Sequence, residues 1–491
     1  MSSGGLGKTD VGNPNAITGL SRDFYRRVGR YYGEKEAWRF EPHIAERVFN
    51  QYVNEANVEV LFSRRIKKVH QAGNVIESIV LEYSERPESS SDLVISAKVF
   101  IDASYEGDLM AKAGVSYATG REPNDQYNEE YNGVQLSRRA GDALKGDVTI
   151  TPEFPLGVDP YLIPGNPSSG LLPLIQANDL QPIGSGDDKI QAYNFRMCLT
   201  QDPGNRIPIA KPSNYSPDRY QLLLRQMDVE PWKSLYDGFI VSKMPNGKTD
   251  WNNYGLIGVS TDYIGGNWDY PEADYDRRAE IWQDHKEYQQ GLLYFLGHEE
   301  RIPEHIRKEM LTWGLCKDEF VDTEGWPHQL YIREARRMIG EHVMTEHSCL
   351  GREIIADGIA YGSYPLDSHN CQRIVVNGMV RNEGNISIHG FPPYPISYRS
   401  ITPKRDEAAN LLAPVALSAS HSAYGSIRME PAFMVLGQSA GLAASMAVKS
   451  GIPVQQVSAA EIQKELFENP LANRPLPDED PEAFRLKFNR R

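Results

Sequence analysis

The sequence predicts an α/β protein in which a layered domain is interrupted by a second, loop-rich one. Three observations lead there. The first 120 residues alternate helical periodicity with strand-like runs, residues 121–327 lose that periodicity, and residues 410–448 restore it. The layered domain is therefore expected in two parts, 1–120 and 328–465, around an insertion at 121–327, with a Pro-, Asp- and Glu-rich surface tail at 466–491.

In chain order, a Gly/Ser/Asn loop comes first, and Ser21 is placed to cap a helix through an Arg-rich segment. Pro42 opens a clearer helix with Ile44, Val48, Tyr52, Val53 and Ala56 on one face. VEVLF, RRIKKVHQ and VIESIVLEY read as strands, the last two joined by a turn at Gly73-Asn74. VFIDAS ends a buried strand, and EGDLMAKAGV starts a helix directly after it. Inside the insertion, Pro, Asn, Asp, Tyr and Trp crowd into turns, and helices stand out only at 277–296 and 304–311. Aromatic and polar loops of this kind line pockets for polar organic ligands, or simply pack as loops. LYIREARRMIGEHVMTEH predicts a helix over 330–347, and ISIHGF and PISYRSI predict short strands.

The chain's most informative stretch follows. Residues 411–417 read as a buried strand, 418–430 as a Ser/His/Gly loop and 432–448 as a helix entered at Pro431. Gly437, Ala440, Gly441 and Ala444 share one face of that helix, which admits a backbone or a flat cofactor, or makes a packing seam. Its N-terminus suits an anionic partner. The same residues contain G-x-S-x-G around Ser439, the pattern of a serine-hydrolase elbow. A triad in the order of those enzymes needs a later histidine, and the last one is His421, which sets the hydrolase aside as an alternative.

Composition narrows the function classes. At 40% apolar and 24% charged, the 491 residues suit a soluble globular chain. A net charge of −14 argues against nucleic acid or an anionic membrane as partner. No signal-like opening and no run of about 18 apolar residues appears, so a cytoplasmic location is expected. A periplasmic or secreted one follows instead if a preceding segment carried a signal peptide. Four cysteines far apart in sequence predict free thiols rather than a disulfide framework or zinc site. His342 and His347 miss zinc spacing, and no metal is assigned.

Four segments in order, FIDASYEGDLMAKAGVSYATGRE (100–122), LYIREARRMIGEHVMTEH (330–347), PYPISYRSITPK (393–404) and LSASHSAYGSIRMEPAFMVLGQSAG (417–441), carry a resemblance. They resemble a bacterial-type family of FAD-dependent oxidoreductases, distant relatives of glutathione-reductase and fumarate-reductase flavoproteins. The smaller match QAYNFRMCLT extends the likeness into the insertion. The resemblance implies a Rossmann-like FAD domain with an inserted substrate domain, and hydride transfer between a small organic substrate and flavin N5. The Tyr- and Asn-rich middle suggests a hydroxylated or sugar-like substrate. Such proteins open with a strand and a G-x-G-x-x-G turn, whereas Gly5-Leu6-Gly7-Lys8 lacks both the strand and the third glycine. The expectation is a chain that begins after the first strand–helix–strand, through a late-assigned start or as a true fragment. A non-catalytic flavoprotein remnant is the alternative.

Candidate residues follow. The resemblance places Ser3, Gly4 and Gly5 on the FAD diphosphate and flavin. Asp102, Ala103 and Ser104 end a buried strand, where α/β sheets hold ligands, and Asp108 begins the next helix as a cofactor neighbour or a plain N-cap. The resemblance also sets the segment containing Ser418, Ser426 and Glu430, with Met434 just beyond, against the flavin. It places His421 on the substrate side as a proton acceptor or a packed hydrogen-bonder. Arg428 is expected to stabilise flavin charge or hold substrate, or to pair with Glu430. His369, Tyr398 and Arg399 are further substrate-side candidates.

Overall fold

The structure is a computed structural model, and it describes residues 7–87, 92–136, 155, 157–253 and 258–468. The helix Pro42–Ala56 forms as its pattern dictates, with proline in the first turn and Asn57 closing it at φ 50°. Its buried Ile44, Ala45 and Val48 share a small core with Phe24, Tyr25 and Val28 of the helix Gly19–Tyr31. That earlier helix starts at Thr18 rather than Ser21. Ser21 lies inside it, and its hydroxyl donates to the Pro431 carbonyl at 3.0 Å, tying the N-terminal helices to the C-terminal one.

The strands Arg64–Ala72 and Val75–Tyr83 pair antiparallel around Gly73-Asn74, with Gly73 at φ 61°, and Leu93–Ser96 adds a third strand. VEVLF forms no strand. Val58, Val60, Leu61 and Phe62 are exposed, and a strand needs a partner ladder that no described residue gives them. Phe100–Ile101 pairs parallel with Leu411–Leu412, while every other ladder between named strands is antiparallel among the described residues. Asp102 N–H donates to the Leu412 carbonyl at 2.8 Å, so segments about 300 residues apart meet at this strand end.

Residues 197–316 are more regular than their composition suggests. Five antiparallel strands lie in the order Arg206–Pro208, Gly314–Cys316, Met197–Thr200, Lys248–Asn253, Phe239–Lys243. They share one core with the helices Gln221–Val229, Tyr275–His298 and Glu304–Met310. The sequence hid them because strands as short and polar as KTDWNN, buried at five of six positions, carry no alternation.

The helix expected over 330–347 does not form. The segment is extended, with Arg337–Met338 pairing to Tyr117–Ala118 and only Glu346–Cys349 turning helical. Arg333, Glu334, Arg336 and Arg337 are all buried, and their partners lie in different directions. Arg333 pairs with Asp262 at 2.9 Å, Arg336 with Asp108 at 2.8 Å and Arg337 with Glu122 at 2.5 Å. A helix would stack these cations along one face, whereas an extended chain sends them to opposite sides. Burial of ion-paired arginines overrides helix propensity here.

The C-terminal helix runs Glu430–Ser450, with Pro431 in its first turn and Gly451 closing it at φ 65°. It is the one helix among the described residues long and apolar enough to cross a membrane, and half of its apolar window is buried in the fold. A Cβ added at Gly437 or Gly441 would meet nothing within 4 Å, so these two positions make no close packing seam with the described residues. Ser439 sits mid-helix, fully buried, its hydroxyl donating to the Ile359 carbonyl. A nucleophile elbow needs a strand–turn–helix with an exposed hydroxyl, and this geometry overturns the hydrolase alternative.

Candidate functional site

A polar cavity of about 240 Å³ opens between the five-stranded sheet and residues 364–370. Lys8 and Asp10 reach it from the N-terminal loop, and Arg196 reaches it from just before a central strand. Asn252 and Asn253 come from the neighbouring strand, Asp262 and Tyr331 from connecting segments, and Asp367, His369, Asn370, Asn382 and Asn385 from the C-terminal part.

His369 stands on this wall between two carboxylates. Its Nδ1 lies 2.7 Å from Asp262 Oδ2, and its Nε2 lies 3.6 Å from Asp367 Oδ2. Arg333 holds the other Asp262 oxygen at 2.9 Å. Burial by itself would raise the Asp262 carboxyl, but Arg333 and His369 together bring it below its usual range. Burial likewise opposes the Asp367 charge. A hydrogen bond and charge from His369, with Arg428 and Arg333, nevertheless hold that carboxyl at about 2. Asp10 is the contrast: burial pushes it up, and Arg196, 3.7 Å away, offsets only part of the shift. The Asp262 carboxylate fixes the orientation of the His369 ring through Nδ1, and Nε2 keeps only the longer contact with Asp367.

Arg428 links this cavity to the C-terminal helix. Its guanidinium donates to Tyr331 Oη at 2.9 Å and to the Asp367 side chain at 3.0 Å. Its pairing is therefore with Asp367, not Glu430. Two residues on, the Glu430–Ser450 helix begins without a side-chain cap. Glu430 accepts from Tyr105 Oη at 3.3 Å, which brings the helix start beside the loop that follows Asp102.

Other expected residues are placed differently. His421 is fully buried, with Nδ1 2.9 Å from Glu334 and Nε2 2.9 Å from the Ser368 hydroxyl, and it does not line the cavity. Its segment is not a loop but the short helix His421–Ile427, capped by Ser420. Ser418 and Ser426 are buried and engaged with backbone, Ser418 accepting from Gly340 N–H and Ser426 donating to the Tyr364 carbonyl. Tyr398 donates to the Val454 carbonyl, and Arg399, 54% exposed, pairs with Asp357; neither lines the cavity. Asp108 is held by Arg278 and Arg336, each at 2.8 Å, as an ion-paired anchor. Asp102 accepts from Ser104 and from Met110 N–H, which shapes the strand-to-helix turn, while Ala103 is exposed at its mouth. Met434 packs against the N-terminal helices. Ser3, Gly4 and Gly5 lie outside the described residues.

The model of the family described as FAD dependent oxidoreductase matches residues 1–466. The chain belongs to this family. Searches of curated proteins and of solved structures found no match. As an FAD-dependent oxidoreductase, the protein has a Rossmann-like α/β fold and FAD as its cofactor. The residues fit that group. The parallel pair ends at Asp102, where such sheets hold ligands, and the start of the Glu430 helix, with no side-chain cap bond from Met429 among the described residues, reaches the following loop through Tyr105. Arg428 Nε, buried and without a hydrogen-bond partner among the described residues, adds a donor. Together they suit the electron-rich edge of a flavin.

The sequence reading missed Asp10, Arg196, Asp262, Arg333 and Asp367. The usable signal was the density of Asn and Asp in the middle segments, which marked polar loops but gave no pairing.

Proposed function

We propose that this FAD-dependent oxidoreductase acts on a small, uncharged, hydroxylated molecule of sugar-like character seated in the cavity. The observation that carries this reading is the Asp262–His369 pair on the wall of a cavity rich in asparagine. FAD supplies two-electron chemistry, with hydride exchanged between a substrate carbon and flavin N5. The chain's own residues do the rest. His369 Nε2 takes or returns the hydroxyl proton, oriented by Asp262, which Arg333 holds in turn. Asn252, Asn253, Asn370, Asn382 and Asn385 offer paired donors and acceptors, the match for neighbouring hydroxyls. Arg196, Arg333 and Arg428 are matched by Asp250, Asp262 and Asp367, and Lys8 and Asp10 add one charge of each sign, so the described residues give the site no net positive charge for an anionic substrate.

Anaerobic mixing of FAD-loaded protein with sugars, polyols, hydroxy acids and amines tests the reading. Bleaching of flavin absorbance by sugars or polyols, lost in His369→Gln, is expected. Bleaching confined to hydroxy acids or amines overturns it.

A further inference from the structure

All four cysteines are buried and free, and two of them meet. The antiparallel register pairs Gly314 with Thr200 and Leu315 with Leu199, which sets Cys316 opposite Cys198 at the next step. Their sulfurs lie 3.5 Å apart although the residues are 118 apart in sequence. Met244 closes the small apolar cluster around them, with Phe320 packed against it. Cys349 and Cys371 lie elsewhere, Cys371 with its sulfur 3.6 Å from the His369 carbonyl.

We propose that Cys198 and Cys316 form a reversible dithiol–disulfide pair, a cross-strand redox site two residues along the chain from the cavity's Arg196. A disulfide needs the sulfurs to close to about 2.05 Å, a movement that side-chain rotation supplies when the two residues already face each other across a ladder. The step balances with a glutathione-type disulfide as oxidant. One thiolate attacks it and releases one glutathione thiol. The second thiolate then attacks the mixed disulfide and releases the other, so the protein loses two hydrogens and two electrons. The hydrogen bond with Cys316, and then burial, push the Cys198 thiol up, which makes exchange slow in the folded protein and shelters the bond once made.

The position gives the bond two consequences. It ties together two central strands of the five-stranded sheet, and it closes a long loop that constrains the unfolded chain. Arg196, on the cavity wall, lies two residues before Cys198. On the other side, Met244 packs so tightly on Gly7 that a Cβ there would fall 1.5 Å from its sulfur, and Gly7 leads into Lys8 and Asp10 of the cavity.

FAD-loaded protein is equilibrated in glutathione/glutathione-disulfide buffers, both as folded protein and after refolding in the same buffer. It is then quenched, alkylated under denaturing conditions and mapped by mass spectrometry. The expected result is loss of two of four alkylatable thiols under oxidising buffer, with one linked peptide pair joining Cys198 to Cys316. Cys349 and Cys371 stay alkylated, and reductant restores all four. The melting temperature should rise by roughly 5 °C on oxidation, and not in Cys316→Ser. Four free thiols in both arms, or a linkage through Cys349 or Cys371, overturns the proposal. Cys198→Ser and Cys316→Ser should each keep three free thiols; an internal disulfide in either variant also overturns it.

Discussion

His421 and His369 have the same side chain and each touches a carboxylate, yet the fold uses them in opposite ways. His421 has both ring nitrogens occupied, by Glu334 and Ser368, and no exposure. His369 is anchored at Nδ1 by Asp262 at 2.7 Å, has Asp367 only at 3.6 Å from Nε2, and its side chain is 16% exposed at the cavity. A histidine whose two nitrogens are satisfied inside a protein holds structure together. One with a single short contact and a second nitrogen that is only loosely held beside open space is equipped to move a proton. The carboxylates follow the same division: Glu334 serves a buried network, whereas Asp262 and Asp367 border open space.

The sharpest way to break this comparison is substitution at both histidines. His369→Gln is expected to lower kcat by about 10²–10⁴-fold while leaving thermal stability nearly unchanged, as steady-state kinetics and calorimetry would show. His421→Gln should do the reverse, costing about 2–3 kcal/mol because Glu334 loses its main partner in the interior. Its turnover per folded molecule should persist. Equal kinetic losses at unchanged stability would end the distinction.

Asp367 sharpens it through pH. Its folded value of about 2 lies below the unfolded value of about 3.9, so its contribution is complete above that unfolded value and lost as pH falls through 2. That contribution is on the order of 2 kcal/mol. Denaturant titrations of Asp367→Asn from neutral to acid pH should show a shallower acid-side decline than the parent protein.

Smaller effects test the periphery. Ser439→Ala should cost about 1 kcal/mol through the lost bond to Ile359 and leave turnover intact; a large kinetic loss would restore a role for this serine. Arg399→Ala, at an exposed ion pair, should change stability by less than about 0.5 kcal/mol and leave KM alone.

Sequence reading succeeded where the deciding physics is local. Pro42, the apolar face behind it and Asn57 bound one helix, the Gly73-Asn74 turn fixes the hairpin, and Pro431 opens the long C-terminal helix. Four ordered motifs were enough for the family and its cofactor. It failed where a segment's partner lies far away. VEVLF has strand chemistry but no described strand beside it, and residues 330–347 have helix periodicity but carry arginines that distant carboxylates pull apart.

The amino-acid sequence by itself determined the α/β class, the capped helices, the hairpin and the flavoprotein family, because caps, turns and periodic faces act over a few neighbouring residues. Only the tertiary structure decided which histidine faces open space, and that Lys8, Arg196, Asp262 and Asp367 share one cavity. It likewise decided that Cys198 meets Cys316. Buried charge pairing and cross-strand register join residues more than a hundred positions apart, and desolvation makes those pairings strong enough to overrule local preference.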